Sequence, residues 1–252
     1  MPRLEALAAA QGSARKHQSL RVLKTVGLPE SHLDALVRPL FAKHPLVTFG
    51  FRTHAPENHL KLHAVSPTAK EAEDAVAAAE RDSRAVLGRH VYGADDDTLP
   101  LVIGRALRAR KETLATAESC TAGMISALIT DPAGVSDYFR GGAATYTEAM
   151  KTLWAHVPPE LIAKHGVVSE EVARAMANGM RSATGATWAL SVTGYAGPTG
   201  GDDRNPVGTV YLGLSGGGQD LVERHVFHGD RERVRLFAAS TSLDLLRRTL
   251  DR

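Results

Sequence analysis

Apolar and polar positions in the first third of the chain follow strand and helix periods in turn. The segment LRVLKTVGL predicts a strand, and ESHLDALVRPLFAKH has apolar side chains at helical spacing, with Pro39 predicting a bend or break. The period-two segments LVTFGFRTHA and HLKLHAVSP flank the turn-forming PEN and predict a hairpin. A second helix follows, with Ser66 or Thr68 as its N-cap and Gly88 as its end. Together these elements predict a small β-α-β-β-α module.

The pattern changes after the turn-rich segment YGADDDTLP, which we interpret as a linker. Thr98 and Pro100 are typical of a helix start, and LVIGRALRARK follows them. Helical stretches then lie between several strand-like segments, which are TLATAE, GAATYT, ATWALSVTG, VGTVYLGLS and LVERHVFHG. This alternation predicts a layered α/β domain. The expected organisation is an N-terminal extension at 1–19, a small α+β domain at 20–91 and an α/β domain at 92–252.

Composition narrows the class of protein. With 252 residues, 43% hydrophobic and 23% charged, the chain is long enough for one large domain or two modest ones and is neither disordered nor fibrous. Its 30 basic and 28 acidic residues give no global charge that demands nucleic acid or anionic lipid. The single cysteine excludes an internal disulfide and fits a reducing compartment. Since the sequence contains neither a membrane-span pattern nor a signal-peptide core, we expect a cytoplasmic protein without a membrane partner.

The segment ESCTAG lies where a strand pattern passes into a helix, a position where α/β sheets often bind ligands. Ser119 or Thr121 could cap the helix that we expect near Ala122, or Ser119 could be a nucleophile beside helix N-terminal amides that hold an oxyanion. Cys120 is the rival nucleophile, because a helix N-terminus lowers a thiol pKa, although lone cysteines are often small buried side chains. Glu118 is either a base or an acceptor for nearby backbone donors.

A serine nucleophile needs a base, and the segment RGGAATYTEAMKTLW offers Tyr146 and Lys151. A glycine pair that includes Gly142 precedes them and permits close backbone approach. The structural alternatives are a tyrosine that only packs and a lysine that is only a solvated helix charge. Spacing alone does not decide between these interpretations.

Two further segments are candidates for anion binding. The glycine-rich TGYAGPTGG follows a strand pattern and can cradle a phosphate, although it lacks the ending of a Walker loop. In HGDRERVR, Asp230 is a predicted N-cap, and Arg231 and Arg233 oppose the helix dipole, which favours an anion facing them. His59 and His63 share a strand face about 13 Å apart, too far to chelate one ion, and we predict no metal.

At these motifs the chain resembles the competence/damage-inducible CinA family, specifically its C-terminal nicotinamide-mononucleotide deamidase domain. The matching stretches occur in family order across about residues 98–250 and are TLATAESCTAG, YFRGGAATYTEAMK, HGVVSEEVARAMA, SVTGYAGPTGG, NPVGTVYLGL and GDRERVR. The resemblance implies a three-layer α/β/α domain with a mixed, largely parallel sheet, preceded by a small α+β KH-like domain. It also implies a homodimer and no cofactor.

The resemblance implies specific roles for several residues. The implied catalytic residues are Ser119, Tyr146 and Lys151. The implied substrate-binding residues are Thr193, Gly194, Gly197, Gly200, Arg231, Arg233, Cys120, Thr121 and Gly142. Of the two arginines, Arg233 is the preferred substrate contact. The chain departs from the family where Ala122 replaces a common second glycine, where Tyr195 replaces isoleucine, and where TEAMK replaces SNEAK.

The activity that the resemblance implies is hydrolysis of nicotinamide mononucleotide to nicotinate mononucleotide and ammonia, as in NAD recycling. The competing hypothesis is a non-catalytic nucleotide-binding or interaction module with a recombination or competence protein as partner. The KH-like domain lacks the GxxG loop that grips nucleic-acid backbones, so nucleic acid is not an expected partner. Full-length family members also carry an N-terminal molybdopterin-cofactor-biosynthesis-like domain, and we expect this chain to be a fragment or shortened form.

Overall fold

The computed structural model describes residues 16–251, which divide into two compact units after Asp97. Most of the expected N-terminal extension lies outside the described residues. The first unit contains β1 (His17–Val26), α1 (Glu30–Lys43), β2 (Val47–His54), β3 (Glu57–Ser66), α2 (Ala69–Leu87), a 3-10 turn (Gly88–His90) and β4 (Val91–Ala94). Its sheet is antiparallel throughout and has the strand order β2-β3-β1-β4. The predicted α+β module is therefore confirmed.

Three details of the first unit differ from the sequence interpretation. β1 begins at His17, within the segment expected to be an extension. The expected linker starts inside the first sheet, because β4 pairs with β1. Helix α1 continues through Pro39, since this side chain is exposed while Leu33 and Val37 on the opposite face are fully buried in the core. A carbonyl left free by the proline on the exposed side can bond to water.

The second unit is a three-layer α/β/α domain. Its elements are α3 (Leu99–Arg110), β5 (Leu114–Glu118), α4 (Met124–Thr130), a 3-10 turn (Val135–Asp137), β6 (Phe139–Ala144), α5 (Glu148–Ala155), α6 (Pro159–His165), α7 (Glu170–Thr184), β7 (Trp188–Gly194), β8 (Thr209–Gly216), β9 (Gln219–Val226) and α8 (Arg231–Leu250). Helices α5, α6 and α7 share one apolar core, whereas α3 and α4 pack with α8.

The sheet of the second unit is mixed, as expected, with the strand order β6-β5-β7-β8-β9. β5 is parallel to both β6 and β7, whereas β8 is antiparallel to both of its neighbours. The carboxyl ends of β5, β6 and β7 therefore lie at one edge, where parallel α/β sheets bind ligands. Within residues 16–251, no helix combines the length and apolar character needed to cross a bilayer.

Candidate active site

Ser119 and Lys151 form a buried pair at this edge. Ser119 directly follows β5, and Lys151 lies on α5 with its side chain fully buried. The Lys151 Nζ atom is 2.9 Å from Ser119 Oγ and 2.9 Å from the carbonyl oxygen of Thr145. It also donates to the carbonyl oxygen of Tyr146 at 3.4 Å. The solvated-lysine alternative is therefore wrong, because this side chain is held against the serine.

Burial lowers the pKa of Lys151 to about 8, and the weaker influences of Cys120 and Glu148 oppose that shift. An appreciable fraction of this lysine is therefore neutral near physiological pH. A neutral amine has two N–H donors and one lone pair. The two backbone carbonyls can accept both N–H groups, which leaves the lone pair for the Ser119 hydroxyl. The arrangement fits a lysine general base acting on a serine nucleophile.

Cys120 is a poor competitor for the role of nucleophile. Its side chain is buried, and burial raises the pKa of the thiol to about 11. The positive charges of Lys151, Arg235 and Arg231 favour the thiolate but do not overcome this effect. Since the thiolate is the reactive form, Cys120 stays almost wholly unreactive near neutral pH.

The carboxylate of Glu118 caps the helix that follows the nucleophile. Its Oε2 atom accepts the N–H groups of Gly123 and Ile125 at 3.0 Å each, and Oε1 accepts the N–H of Ser126 at 2.9 Å. Helix α4 begins at Met124, two residues after the expected start near Ala122, and capping by the side chain of Ser119 or Thr121 is wrong. Because Glu118 occupies these amides, they are not free to hold an oxyanion.

The N–H groups of Cys120 and Thr121 lie next to Ser119 in the turn formed by residues 119–123, which we call the nucleophile turn. The other two N–H groups near the start of this turn are occupied. The Ser119 N–H donates to the carbonyl oxygen of Val192 at 2.9 Å, and the Ala122 N–H donates to that of Ser119 at 3.1 Å. Across the described part of the chain, neither the N–H of Cys120 nor that of Thr121 makes a hydrogen bond to another residue. These two amides are thus the available oxyanion donors of the turn.

Arg235 holds the nucleophile turn from helix α8. Its Nε atom donates to the carbonyl oxygen of Cys120 at 3.0 Å, and its Nη2 atom donates to that of Thr121 at 2.9 Å. The sequence analysis did not single out this residue. The available signal was its position four residues after Arg231, which places both arginines on one face of the helix.

Arg231, rather than Arg233, faces the glycine-rich segment at residues 193–201, which we call the glycine loop. Its Nη1 atom donates to the carbonyl oxygen of Gly197 at 2.8 Å, and its Nη2 atom donates to the Tyr146 hydroxyl at 3.1 Å. The guanidinium of Arg233 instead stacks on the Phe237 ring, 4.5 Å from its centroid. This geometry favours Arg231 over Arg233 as the arginine beside the loop, and the substrate contact itself stays a prediction. Two residues rotate a helix by about 200°, which sends these side chains to different faces. The predicted cap Asp230 accepts the Arg233 N–H at 2.8 Å.

The Tyr146 hydroxyl is not part of the serine–lysine pair. The structure brings the Tyr146 carbonyl oxygen to Lys151, while the Tyr146 hydroxyl accepts from Arg231 and the residue is 54% exposed. Proton transfer through this hydroxyl is therefore not supported by the geometry. Tyr146 belongs with Arg231 on the outer side of the site.

Two of the expected substrate-binding residues have structural roles. Thr193 is fully buried and its hydroxyl donates to the carbonyl oxygen of Val167 at 2.8 Å. A side chain at Gly142 would collide with the hydroxyls of Thr116 and Ser126. Those hydroxyls are hydrogen-bonded to each other at 2.8 Å, so Gly142 makes room for the network that anchors Glu118.

The glycine loop after β7 needs its glycines for close packing and turning. A side chain at Gly194 would lie 2.6 Å from the carbonyl oxygen of Thr209. Gly197 and Gly200 have φ angles of +81° and +95°, which favour glycine. A side chain at Gly200 would also lie 3.1 Å from the Tyr195 ring. Binding of phosphate by this loop stays a prediction. Among residues 16–251, no group of three or more His, Cys, Asp or Glu is arranged to hold a metal ion.

Comparisons with known proteins agree on one family. The family model of the CinA C-terminal domain matches residues 96–250, and that of the damage-inducible protein CinA KH domain matches residues 20–93. A CinA-like protein from Myxococcus xanthus (strain DK1622) is 50% identical over 99% of this chain. This chain spans 59% of that relative's length.

Solved structures from the same superfamily match a shorter part of the chain. A competence damage-inducible protein A from Klebsiella pneumoniae subsp. pneumoniae MGH 78578 is 37% identical, with a TM-score of 0.59, and the match covers 61% of this chain and 95% of that one. A CinA superfamily protein from Klebsiella pneumoniae 700603 is 35% identical with the same TM-score, and the match covers 61% and 96% of the two chains.

Proposed function

The chain belongs to the CinA family, and from that premise we propose that its second unit hydrolyses the carboxamide of nicotinamide mononucleotide. The products would be nicotinate mononucleotide and ammonia. The observation that carries the proposal is the 2.9 Å contact between the Ser119 hydroxyl and a fully buried lysine whose pKa is lowered to about 8. A lysine without chemistry to perform has little reason to be desolvated beside a serine.

The first half-reaction acylates the serine. Neutral Lys151 accepts the Ser119 proton as Oγ attacks the carboxamide carbon, and the N–H groups of Cys120 and Thr121 stabilise the developing oxyanion. The lysine then returns this proton to the leaving nitrogen, and ammonia departs. The positive pyridinium ring of the substrate favours the neutral form of the lysine, because like charges repel.

The second half-reaction releases the acid. A water molecule attacks the ester carbon, Lys151 accepts a proton from it, and the same amides stabilise the second oxyanion. The proton then returns to Ser119 Oγ as the ester bond breaks. One base thus serves both steps, and all atoms and protons in the two half-reactions are accounted for without a metal or cofactor.

Arg231 supplies a substrate contact for the nucleotide phosphate. Its guanidinium is exposed and bonds to two neutral oxygens, the Gly197 carbonyl and the Tyr146 hydroxyl. A phosphate would be a stronger acceptor than either, because both partners would then be charged. The glycine loop beside it offers backbone groups at close approach. These contacts would position the carboxamide over Ser119.

Ammonia release from nicotinamide mononucleotide by the purified protein tests the proposal. Ser119→Ala and Lys151→Ala should lose essentially all activity, since the nucleophile and its base are removed. Cys120→Ala should keep most of it, because the protonated thiol does no chemistry. The Cys120→Ala variant is also the matched control, since it changes a buried side chain in the same turn.

Two results would contradict the proposal. An active Ser119→Ala variant together with an inactive Cys120→Ala variant would make the thiol the nucleophile. Tight binding of nicotinamide mononucleotide without turnover by the wild type would favour the non-catalytic nucleotide-binding module instead.

A further inference from the structure

The Arg235 side chain donates its hydrogen bonds to the backbone of the nucleophile turn. It makes two hydrogen bonds to consecutive carbonyl oxygens, those of Cys120 and Thr121. No ion pair in the described part of the chain includes this arginine. A half-buried guanidinium that is directed at backbone carbonyls rather than at a carboxylate keeps its full positive charge next to the turn. This arrangement needs a reason beyond surface charge pairing.

Peptide geometry supplies that reason. The carbonyl of Cys120 and the N–H of Thr121 belong to one planar trans peptide group, so they point in opposite directions. Fixing the carbonyl from the side of α8 therefore directs the N–H to the opposite side. The second bond, to the Thr121 carbonyl, comes from the same rigid planar fork and removes the remaining freedom of rotation. The Thr121 N–H itself has no hydrogen-bond partner among residues 16–251, so it is available to an oxyanion.

The charge of Arg235 adds to this geometric effect. Hydrogen bonds from an ionised donor are stronger than neutral ones, and they polarise the peptide group that accepts them. A polarised peptide has a more positive N–H, which is a better donor to an oxyanion. We propose that Arg235 is a positioning residue that orients and polarises the Thr121 N–H as an oxyanion donor for Ser119. The inference rests on the proposed serine chemistry of this site.

The test uses a reaction that does not depend on the nucleotide. A fluorophosphonate probe phosphonylates active serines, with the Ser119 oxygen forming the bond to phosphorus, fluoride leaving and Lys151 accepting the proton. The phosphoryl oxygen of the probe occupies the position of an oxyanion. The labelling rate of the full chain therefore reports on the nucleophile and its oxyanion donors together, and Ser119→Ala should abolish labelling.

Arg235→Gln should lower the labelling rate about 10- to 100-fold, because misplaced oxyanion donors cost rate in this range. The kcat for nicotinamide mononucleotide should fall to a similar extent, while KM changes less than about threefold. Arg174→Gln is the matched control, since Arg174 is a helical arginine that forms an ion pair with Glu170 at the surface. It should label at the wild-type rate. Arg235→Lys keeps the charge but replaces the planar fork with a single donor nitrogen, and it should be labelled at an intermediate rate.

The outcomes separate the two proposals. Labelling of a folded Arg235→Gln or Arg235→Lys variant at the wild-type rate would overturn the role of Arg235, as would an effect confined to KM. If the glutamine variant melts before it can be labelled, the lysine variant decides the matter. A wild type that is labelled at Ser119 but releases no ammonia would overturn the proposed substrate and leave Arg235 to be judged by labelling alone. A wild type that is not labelled would overturn both.

Discussion

Lys151 shows how burial turns an ordinary residue into a candidate base. Its pKa lies near 8 because desolvation disfavours the ammonium form, and only the neutral amine can accept the serine proton. We therefore expect kcat/KM to rise with pH about tenfold per unit below pH 7 and to level off above a midpoint near pH 8. A pH series of ammonia release at low substrate concentration measures this.

Lys151→Arg is the control for that pH dependence. Arginine keeps the positive charge and the hydrogen-bond donors but does not deprotonate below about pH 12. The variant should therefore remain inactive up to pH 10. A wild-type profile that is flat between pH 6 and pH 9 would remove Lys151 from the role of base.

Ala122 carries a backbone conformation that suits glycine. Its φ angle is +50°, in the left-handed region, where an alanine side chain costs about 1 kcal/mol. Ala122→Gly should therefore raise the free energy of unfolding by about 0.5–1 kcal/mol, as measured by urea denaturation. The matched control is Ala127→Gly, at an exposed position within α4, which should lower it by about 1 kcal/mol. Equal effects of the two substitutions would show that the positive φ carries no strain.

At the scale of the element, helix α8 presents Arg231 and Arg233 on different faces. Arg231→Gln should raise KM for nicotinamide mononucleotide about 10- to 100-fold, the value of a charge-assisted hydrogen bond to phosphate. Arg233→Gln should change KM less than twofold, because the Arg233 guanidinium stacks on Phe237 away from the loop. Steady-state kinetics with both variants measures the difference.

The phosphate-free nucleoside, nicotinamide riboside, sharpens this comparison. If Arg231 binds phosphate, wild type and Arg231→Gln should process the nucleoside with similar kcat/KM. A larger effect of Arg233→Gln than of Arg231→Gln would restore Arg233 as the substrate contact.

Elements were predicted where one local signal decides them. Thr68 and Gly88 bound α2 as expected, with the Thr68 hydroxyl accepting the Glu71 N–H at 3.2 Å. The start of α4 was expected two residues early, and Glu118 was considered as an acceptor of nearby backbone donors but not as the cap of this helix. Capping signals in a sequence are sought immediately before the helix. A carboxylate that reaches forward from the end of the preceding strand leaves no such local pattern.

The candidate site was also predictable only in part. The resemblance named Ser119 and Lys151, which are 32 residues apart in sequence and 2.9 Å apart in space. It did not reveal Arg235, because this side chain acts on backbone carbonyls more than 110 residues away. Backbone groups look alike in every sequence, so their partners become visible only in three dimensions. The sequence likewise did not show that Arg231, and not Arg233, would lie beside Gly197.

At the scale of the whole molecule, the division into two units was predictable, and the observed boundary after Asp97 lies six residues beyond the predicted end of the first domain at residue 91. The acidic segment near residue 95 looks like a linker because of its composition. In the structure, Asp95 accepts the Val22 N–H at 3.0 Å and Asp97 accepts that of Ala94 at 2.9 Å. These aspartates therefore complete the first unit, and the second begins with the Thr98 cap of α3.

This division predicts that residues 98–252 fold and act alone. The second unit contains all of the proposed site, which consists of the Ser119–Lys151 pair, the nucleophile turn, Arg231 and Arg235. The Klebsiella pneumoniae structures match 61% of this chain while being covered almost entirely, which is the share that the second unit occupies. The isolated unit should give kcat/KM for ammonia release within about twofold of the full chain and a single cooperative unfolding transition. A folded fragment, verified by near-ultraviolet circular dichroism, that loses more than about tenfold in kcat/KM would show that the first unit contributes to catalysis.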